Sequence, residues 1–198
     1  RVTYTSPRTM HWITRLLDFA CHVPSNEITS DAVLGLLENY AVERLAPAFR
    51  AGRLEAHGFD IPRIVFTYLD YLLAVNEQDL DFQFTFRNSV EHFYPQSPDA
   101  ELTRAYGALD DAATRDLLGN LAWLTVRDNS KFTKLPPYVK SDSVRIVEQS
   151  PKLKLMAKIA KRSPTAWDSQ AIEEHHHRMV ELLWSEITRH ESILQQSP

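Results

Sequence analysis

The sequence predicts a mostly helical α+β fold, in which a helical bundle surrounds a short strand–loop–strand–helix unit. Apolar residues recur at helical spacing over most of the 198 residues, which is typical of amphipathic helices. The period changes to two between Phe82 and Arg87, where phenylalanines alternate with polar residues, and this alternation indicates a strand. Because 43% of the residues are hydrophobic, the chain can bury a sizeable core.

Helices are predicted on the N-terminal side of that strand. The first covers residues 9–22, and Ser30 is expected to cap the second. Asp60 and Pro62 mark the start of a third helix. The apolar stripes of these helices favour their packing as a bundle.

The strand is expected to continue through residues 90–92, and a polar loop follows it. A second strand is predicted over residues 121–126, and a helix is expected to begin near Asp128 or Asn129. The C-terminal part returns to a helical pattern, with a long helix after Asp168. The expected organisation is one compact domain with an N-terminal helical segment at 1–80, the central unit at 81–142 and packing helices at 143–198.

The composition excludes several classes of protein. Cys21 is the only cysteine, so a disulfide framework and a cysteine-based zinc site are both excluded. We expect Cys21 to be a small core residue in a reducing compartment, the cytoplasm. No apolar run approaches the roughly 20 residues that a membrane-spanning helix needs. The first residue is Arg1 rather than methionine, which favours a piece of a longer protein.

The charge is distributed unevenly along the chain. The net charge is −4, but residues 131–162 carry nine Lys or Arg against two acidic residues, a local balance of +7 that leaves −11 for the rest. Such asymmetry indicates a basic face on an acidic body, which suits a nucleic-acid partner. The residues expected to supply DNA affinity are Lys131, Lys134, Lys140, Lys152, Lys154, Lys158, Lys161 and Arg162.

Three short segments carry side chains suited to hydrolysis: VEHFYPQ at 90–96, LGNLAWL at 118–124 and RDNSKFTK at 127–134. His92 can take a proton from water, because imidazole titrates near neutrality. Glu91 precedes His92 on the strand and projects to the opposite side, so a bend at the strand end is needed to bring both into one site. The oxygens of Glu91 and Asn129 are hard ligands, which suit Mg²⁺ or Mn²⁺.

The joint pattern resembles the HNH nucleases and their ββα-metal fold. Those motifs open with an acid–His pair followed by Pro-Gln, and close with an Asn-Leu step and a His or Asn nine positions later, as Asn120 and Asn129 are spaced here. The chain is most similar to the C-terminal HNH-like domain of the GmrSD-type modification-dependent restriction enzymes. This resemblance covers roughly residues 60–190.

The resemblance implies a domain that cuts DNA with Mg²⁺ or Mn²⁺, acts on modified phage DNA in anti-phage restriction, and accompanies an N-terminal nucleotide-hydrolysing domain of the parent protein. It implies that His92 is the general base and that Asn120 orients it through a ring nitrogen. Glu91 and Asn129 would bind the metal. Phosphate contacts are expected from Lys131, Lys134 and Lys140.

Each of these residues also has an ordinary structural interpretation. His92 can be a core histidine, Asn120 a turn residue and Asn129 a helix cap, so only their joint spacing favours a site. The alternative function is a non-catalytic module of the same fold, whose basic helices hold DNA or a partner subunit. Convergence of the three side chains on one pocket distinguishes the two. The run 175–177 of three histidines is not expected to bind one metal, because successive helical residues point about 100° apart.

Overall fold

The computed structural model describes residues 11–76, 82–106, 109, 111–132 and 134–196, and it is α+β and mostly helical, as predicted. The described helices are α1 (His11–His22), α2 (Ser30–Leu45), α3 (Arg63–Asn76), α4 (Ala100–Tyr106), α5 (Ala112–Arg115), α6 (Val126–Phe132), α7 (Pro137–Lys140), α8 (Val144–Val147), α9 (Pro151–Ala160) and α10 (Ser169–Gln196). The described strands form two antiparallel pairs: β1 (Phe49–Arg50) with β2 (Arg53–Leu54), and β3 (Ser89–His92) with β4 (Leu121–Leu124).

The chain forms two compact units. The first contains the described residues up to Pro47 and those from Glu186 onward, and the second is Ala48–Ser185. The predicted divisions at residues 80 and 142 both fall inside the second unit.

In the first unit, α1 and α2 pack on each other. The side chain of Thr29 caps α2 by accepting a hydrogen bond from the amide of Ala32, so the cap lies one residue before the expected Ser30. The core position expected for Cys21 is wrong, since α1 has no buried residue and Cys21 is exposed.

In the second unit, β3 and β4 place the residues of the site. Their register pairs Glu91 with Ala122 and His92 with Leu121. The pair is extended by a hydrogen bond from the amide of Phe93 to the carbonyl of Asn120, 2.8 Å long. Helix α6 follows β4 after Thr125 alone and packs against β3, so the order strand, loop, strand, helix is observed.

The predicted strand over Phe82–Arg87 is not formed, because regular pairing begins only at Ser89. Phe84 and Phe86 are 48% and 53% exposed, so the alternating apolar face has no sheet to bury it. Arg87 instead turns inward and pairs with the buried carboxylate of Asp70 on α3. This buried ion pair fixes the end of the segment 82–87 against α3, where the alternation predicted a strand.

A buried core stands behind the strand pair. It contains side chains from the loop after β3, from β4, α6 and α9, and from the start of α10, and its largest fully buried members include Phe93, Leu124, Phe132, Leu153 and Met156. Burial of each such side chain contributes roughly 1.5–3 kcal/mol. The core therefore supplies a rigid support for β3, whose last residue is His92.

Candidate active site

An open pocket of about 280 Å³ lies at the C-terminal end of β3. Its walls are formed by Phe59, Val90, Glu91, His92, Gln96, Ser97, Asn129 and Lys134. Three of the residues that the sequence singled out, Glu91, His92 and Asn129, therefore share one pocket with a predicted phosphate contact, Lys134. The neighbouring positions Glu91 and His92 both reach this pocket because it lies at the strand end.

His92 is held by a carboxylate that the sequence analysis did not identify. Its Nε2 donates to Oδ1 of Asp116, 2.8 Å away, at the C-terminal end of α5. The imidazole is buried and the Asp116 side chain is 40% exposed. Burial lowers the pKa of His92 below its usual 6.5, and the hydrogen bond and charge of Asp116 oppose that shift. This lowering of the pKa favours the neutral ring, in which Nε2 carries the proton shared with Asp116 and Nδ1 carries none.

The position of Asp116 is itself fixed by the backbone. Its amide donates hydrogen bonds to the carbonyls of Ala112 and Ala113 in the last turn of α5. Its own carbonyl accepts a hydrogen bond from the amide of Gly58, 2.8 Å away. An aspartate after a four-residue helix has no distinguishing pattern in sequence, which is why its role depends on the tertiary contact.

Glu91 is paired with a buried lysine. Nζ of Lys140 lies 2.5 Å from Oε1 of Glu91 and also donates to the carbonyl of His92 at 2.6 Å. Burial raises the pKa of Glu91, against the attraction of Lys140, and burial lowers the pKa of Lys140 to about 8. Lys140 has no exposed surface. The phosphate contact expected of Lys140 does not fit this structure; the lysine instead holds Glu91 and the strand end at His92.

Asn129 attaches helix α6 to strand β3. Its Nδ2 donates to Oγ of Ser89 at 2.5 Å and to the carbonyl of Val90 at 3.2 Å. These contacts direct the amide group of Asn129 into the wall of the pocket next to Glu91. The amide oxygen keeps its capacity to bind a further group.

Asn120 does not contact His92 through its side chain, contrary to the expectation. Its Oδ1 accepts the amide of Tyr94 at 2.7 Å and the indole of Trp167 at 3.1 Å. Its Nδ2 donates to the carbonyls of Tyr94 and Arg115, at 3.0 and 2.9 Å. Asn120 thus ties the segment after β3 to the end of α5, one residue before Asp116. It does not line the pocket, so of the three side chains expected to converge there only His92 and Asn129 do.

The basic segment 131–162 offers fewer exposed cations to DNA than its charge suggests. Lys140 and Lys152 are buried, and Nζ of Lys152 donates to the carbonyl of Leu121, 2.6 Å away. Both are therefore removed from the set expected to hold DNA. Lys131 remains exposed but is 3.1 Å from the buried carboxylate of Asp128. Lys134 is exposed on the pocket wall, which makes it the lysine of this segment best placed for a phosphate.

The donor atoms at the pocket suit a hard cation. The described residues include no group of three or more His, Cys, Asp or Glu side chains that could hold a metal ion. Oε2 of Glu91 and Oδ1 of Asn129 take no part in the hydrogen bonds described above, so both are available to a cation. A carboxylate and an amide oxygen are donor types that Mg²⁺ takes, with water and phosphate completing its shell. The residues therefore fit, although the ammonium of Lys140 beside Glu91 weakens the attraction for the cation.

The three consecutive histidines are divided between the core and the surface. Both ring nitrogens of His175 are buried and have no partner among the described residues, and its ring packs edge-on against Trp167 at 5.7 Å. His177 is exposed, and its Nδ1 donates to the carbonyl of Glu173 at 2.7 Å. The ring of His176 lies between these two environments, half-buried and with its centroid 5.8 Å from that of His177.

Comparison with models of known protein families identifies the family of this chain. The model of the GmrSD restriction endonucleases, C-terminal domain, matches residues 42–182. The chain belongs to this family. The prediction of a GmrSD-type C-terminal domain is therefore confirmed.

The matched region of this GmrSD C-terminal domain contains every residue of the pocket, together with Asp116, Asn120 and Lys140. A search of curated proteins and a search of solved structures each found no match. None of the described helices is both long enough and apolar enough to cross a membrane.

Proposed function

We propose that this GmrSD C-terminal domain is a metal-dependent endonuclease that hydrolyses phosphodiester bonds of DNA, in a restriction system directed against phage. The observation that carries the proposal is that His92, buried and hydrogen-bonded to Asp116, lines the same pocket as Glu91, Asn129 and Lys134. A general base, hard oxygen donors and an exposed cation are the groups that phosphodiester hydrolysis requires.

The base in this mechanism is Nδ1 of His92. It takes a proton from a water molecule while the water oxygen bonds to phosphorus, and the bond from phosphorus to the leaving ester oxygen breaks. The charge that develops on the imidazole is stabilised by the carboxylate of Asp116, which accepts from Nε2. The leaving oxygen is protonated from solvent.

The remaining residues place the phosphate and the base. Lys134, exposed on the pocket wall, binds a nonbridging phosphate oxygen. Lys140 holds the carbonyl of His92 and so fixes the end of β3. Glu91 and Asn129 would hold Mg²⁺ or Mn²⁺, which supplies charge neutralisation at the phosphate when bound.

The alternative, a non-catalytic module that holds DNA on a basic face, has less support. Lys140 and Lys152 are buried. Lys154 and Lys161 lie 2.8 and 3.7 Å from acidic side chains. Lys134, Lys158 and Arg162 are exposed, so the segment presents only part of the basic face that its charge suggested.

Nicking of supercoiled plasmid with Mg²⁺ or Mn²⁺, with and without EDTA, tests the proposal. We expect cleavage that EDTA abolishes, a loss of about 10²–10⁴-fold in His92→Ala, and a higher metal requirement in Asn129→Ala. His177→Ala is the matched control, because His177 is exposed and lies outside the pocket lining. Cleavage by His92→Ala at the wild-type rate, or full activity in EDTA, would overturn the mechanism.

A further inference from the structure

The pocket wall carries an exposed aromatic side chain that the proposed mechanism does not use. Phe59 is 63% exposed, the highest value among the large hydrophobic side chains that the described residues leave exposed. Its ring centroid lies 5.2 Å from that of His92, with the two planes at 74°. Phe59 lines the same pocket as His92 and Lys134.

The backbone at Phe59 is firmly held, so its exposure is not the result of a loosely attached loop. It lies in the 3-10 turn Gly58–Asp60, where the amide of Gly58 donates to the carbonyl of Asp116 at 2.8 Å. Gly58 has a φ of +57°, a conformation that favours glycine. On the other side of the turn, Ile61 is only 3% exposed. Asp116 thus positions both the turn that presents Phe59 and, through its carboxylate, His92.

Contact with His92 accounts for only part of the ring. An edge contact covers one side of Phe59 and leaves the remainder open to solvent, which agrees with its exposed fraction. Ligand pockets are commonly lined by aromatic side chains, so the open part of this ring is available to a ligand bound in the pocket. An aromatic ring there offers a flat face to the ligand.

We propose that Phe59 is a stacking platform for an unpaired nucleobase next to the scissile phosphate. This inference rests on the proposed function. A phosphate bound beside His92 and Lys134 brings its flanking nucleotides to the pocket rim, where Phe59 lies. The nucleobase is the part of a nucleotide with a flat apolar face, and aromatic side chains bind it with little regard to sequence.

The pairing state of the DNA follows from geometry. In a duplex both faces of each base are covered by its neighbours, so an aromatic side chain reaches a base face only where the base is unpaired or displaced. The site should therefore favour single-stranded or locally unpaired DNA at the cleavage position.

A double-mutant cycle, which combines a change at Phe59 with the removal of a base from the DNA, tests the stacking contact. The affinity of wild type and Phe59→Ala is measured in EDTA, by fluorescence anisotropy, for a single-stranded oligonucleotide and for versions with one abasic nucleotide at successive positions. We expect Phe59→Ala to bind the intact strand about tenfold more weakly. At one position the abasic nucleotide should weaken wild type by a similar factor and leave Phe59→Ala unaffected, which is the coupling expected of a direct contact.

Matched variants separate stacking from other roles. Phe59→Trp should keep the coupling, whereas Phe59→Leu, which keeps an apolar side chain without a π face, should lose most of it. Phe86→Ala is the control, because Phe86 is also an exposed phenylalanine, at 53%, and lies outside the pocket lining; it should bind as wild type does.

Two results would overturn the inference: no loss of affinity in Phe59→Ala, or the same loss on intact and abasic strands, which would indicate contact with the sugar–phosphate chain or shielding of His92 alone. Failure of the proposed function has a different signature, namely a wild-type protein that cleaves no DNA with Mg²⁺ or Mn²⁺.

Discussion

Replacement of Asp116 by asparagine tests whether this residue positions His92. In the structure the carboxylate accepts a hydrogen bond from Nε2 at 2.8 Å, which leaves Nδ1 unprotonated. An asparagine side chain can form a bond of the same length, but its amide can also donate to Nε2, which would place the proton on Nδ1. Asparagine also lacks the negative charge that stabilises the imidazolium formed during the reaction.

The size of the rate loss expected in Asp116→Asn depends on how far Asp116 and His92 are shielded from water. In the enclosed catalytic triad of serine proteases the corresponding change costs about 10⁴ in kcat. Here the side chain of Asp116 is 40% exposed, so water partly replaces its charge. We therefore expect a decrease of about 10²-fold in the maximal rate of Asp116→Asn, at the lower end of the range for general-base catalysis.

The direction in which the pH–rate profile shifts distinguishes a positioning role of Asp116 from a variant that has merely lost its fold. Asp116 raises the pKa of His92 against the effect of burial, so its removal lowers that pKa further. Since the base acts when neutral, the rate rises with pH through the pKa of His92, and this rising limb should move to lower pH in Asp116→Asn. The wild-type limb itself should lie below pH 6.5, the usual value for histidine.

The assay is single-turnover nicking of plasmid between about pH 5 and pH 8, the range in which histidine titrates. Asp111→Asn is the matched control, because Asp111 caps α5 in the same loop and asparagine is an equally good cap. A wild-type rate in Asp116→Asn, or a reduced rate with an unshifted pH profile, would refute the positioning role.

Three further predictions concern stability and are measured by urea unfolding. Lys140→Ala leaves the carboxylate of Glu91 buried without its partner and should cost about 3–5 kcal/mol, most of which Glu91→Gln should restore in the double variant; an additive double variant would contradict the pairing. Gly119→Ala places a Cβ 2.2 Å from a backbone oxygen and should cost at least about 3 kcal/mol, whereas Gly35→Ala, with nothing within 4 Å, should stabilise α2 by about 1 kcal/mol; equal effects would exclude the close approach at Gly119. Burial holds the pKa of His175 well below 6.5, so the folded state should lose stability as pH falls below 6.5, where the unfolded chain takes up the proton. His175→Phe should add about 1 kcal/mol at pH 7 and weaken this pH dependence, and an unchanged profile would contradict the assignment.

Local pattern was sufficient to predict the elements that carry the site. Ser89–His92 form β3 and Leu121–Leu124 form β4, and the apolar run of β4 contributes Ala122 and Leu124 to the core. The helix after β4 begins at Val126, two residues before the expected start near Asp128. The resemblance carried jointly by the three segments, with Asn129 nine positions after Asn120, also correctly predicted the family.

Local pattern failed where a long-range contact decides the conformation. The alternation from Phe82 predicts a strand, but no neighbouring strand buries those phenylalanines, and the pairing of Arg87 with Asp70 turns the chain inward. Lys140 and Lys152 are ordinary members of a basic segment in the sequence. Their burial depends on acceptors from residues 31 or more positions away. Lys140 donates to Glu91 and His92, and Lys152 donates to Gly119 and Leu121.

The sequence by itself therefore determined the fold class, the family, and the presence of Glu91, His92 and Asn129 in one site, because these depend on periodicity and on spacing along the chain. Only the tertiary structure decided which side chain orients His92, which lysines remain free to bind phosphate, and which aromatic ring faces the pocket. Asp116 and Phe59 are brought to His92 by contacts across 24 and 33 positions of the chain, between segments with no shared motif. Side-chain hydrogen bonds and burial depend on such distant approaches, and no local pattern encodes them.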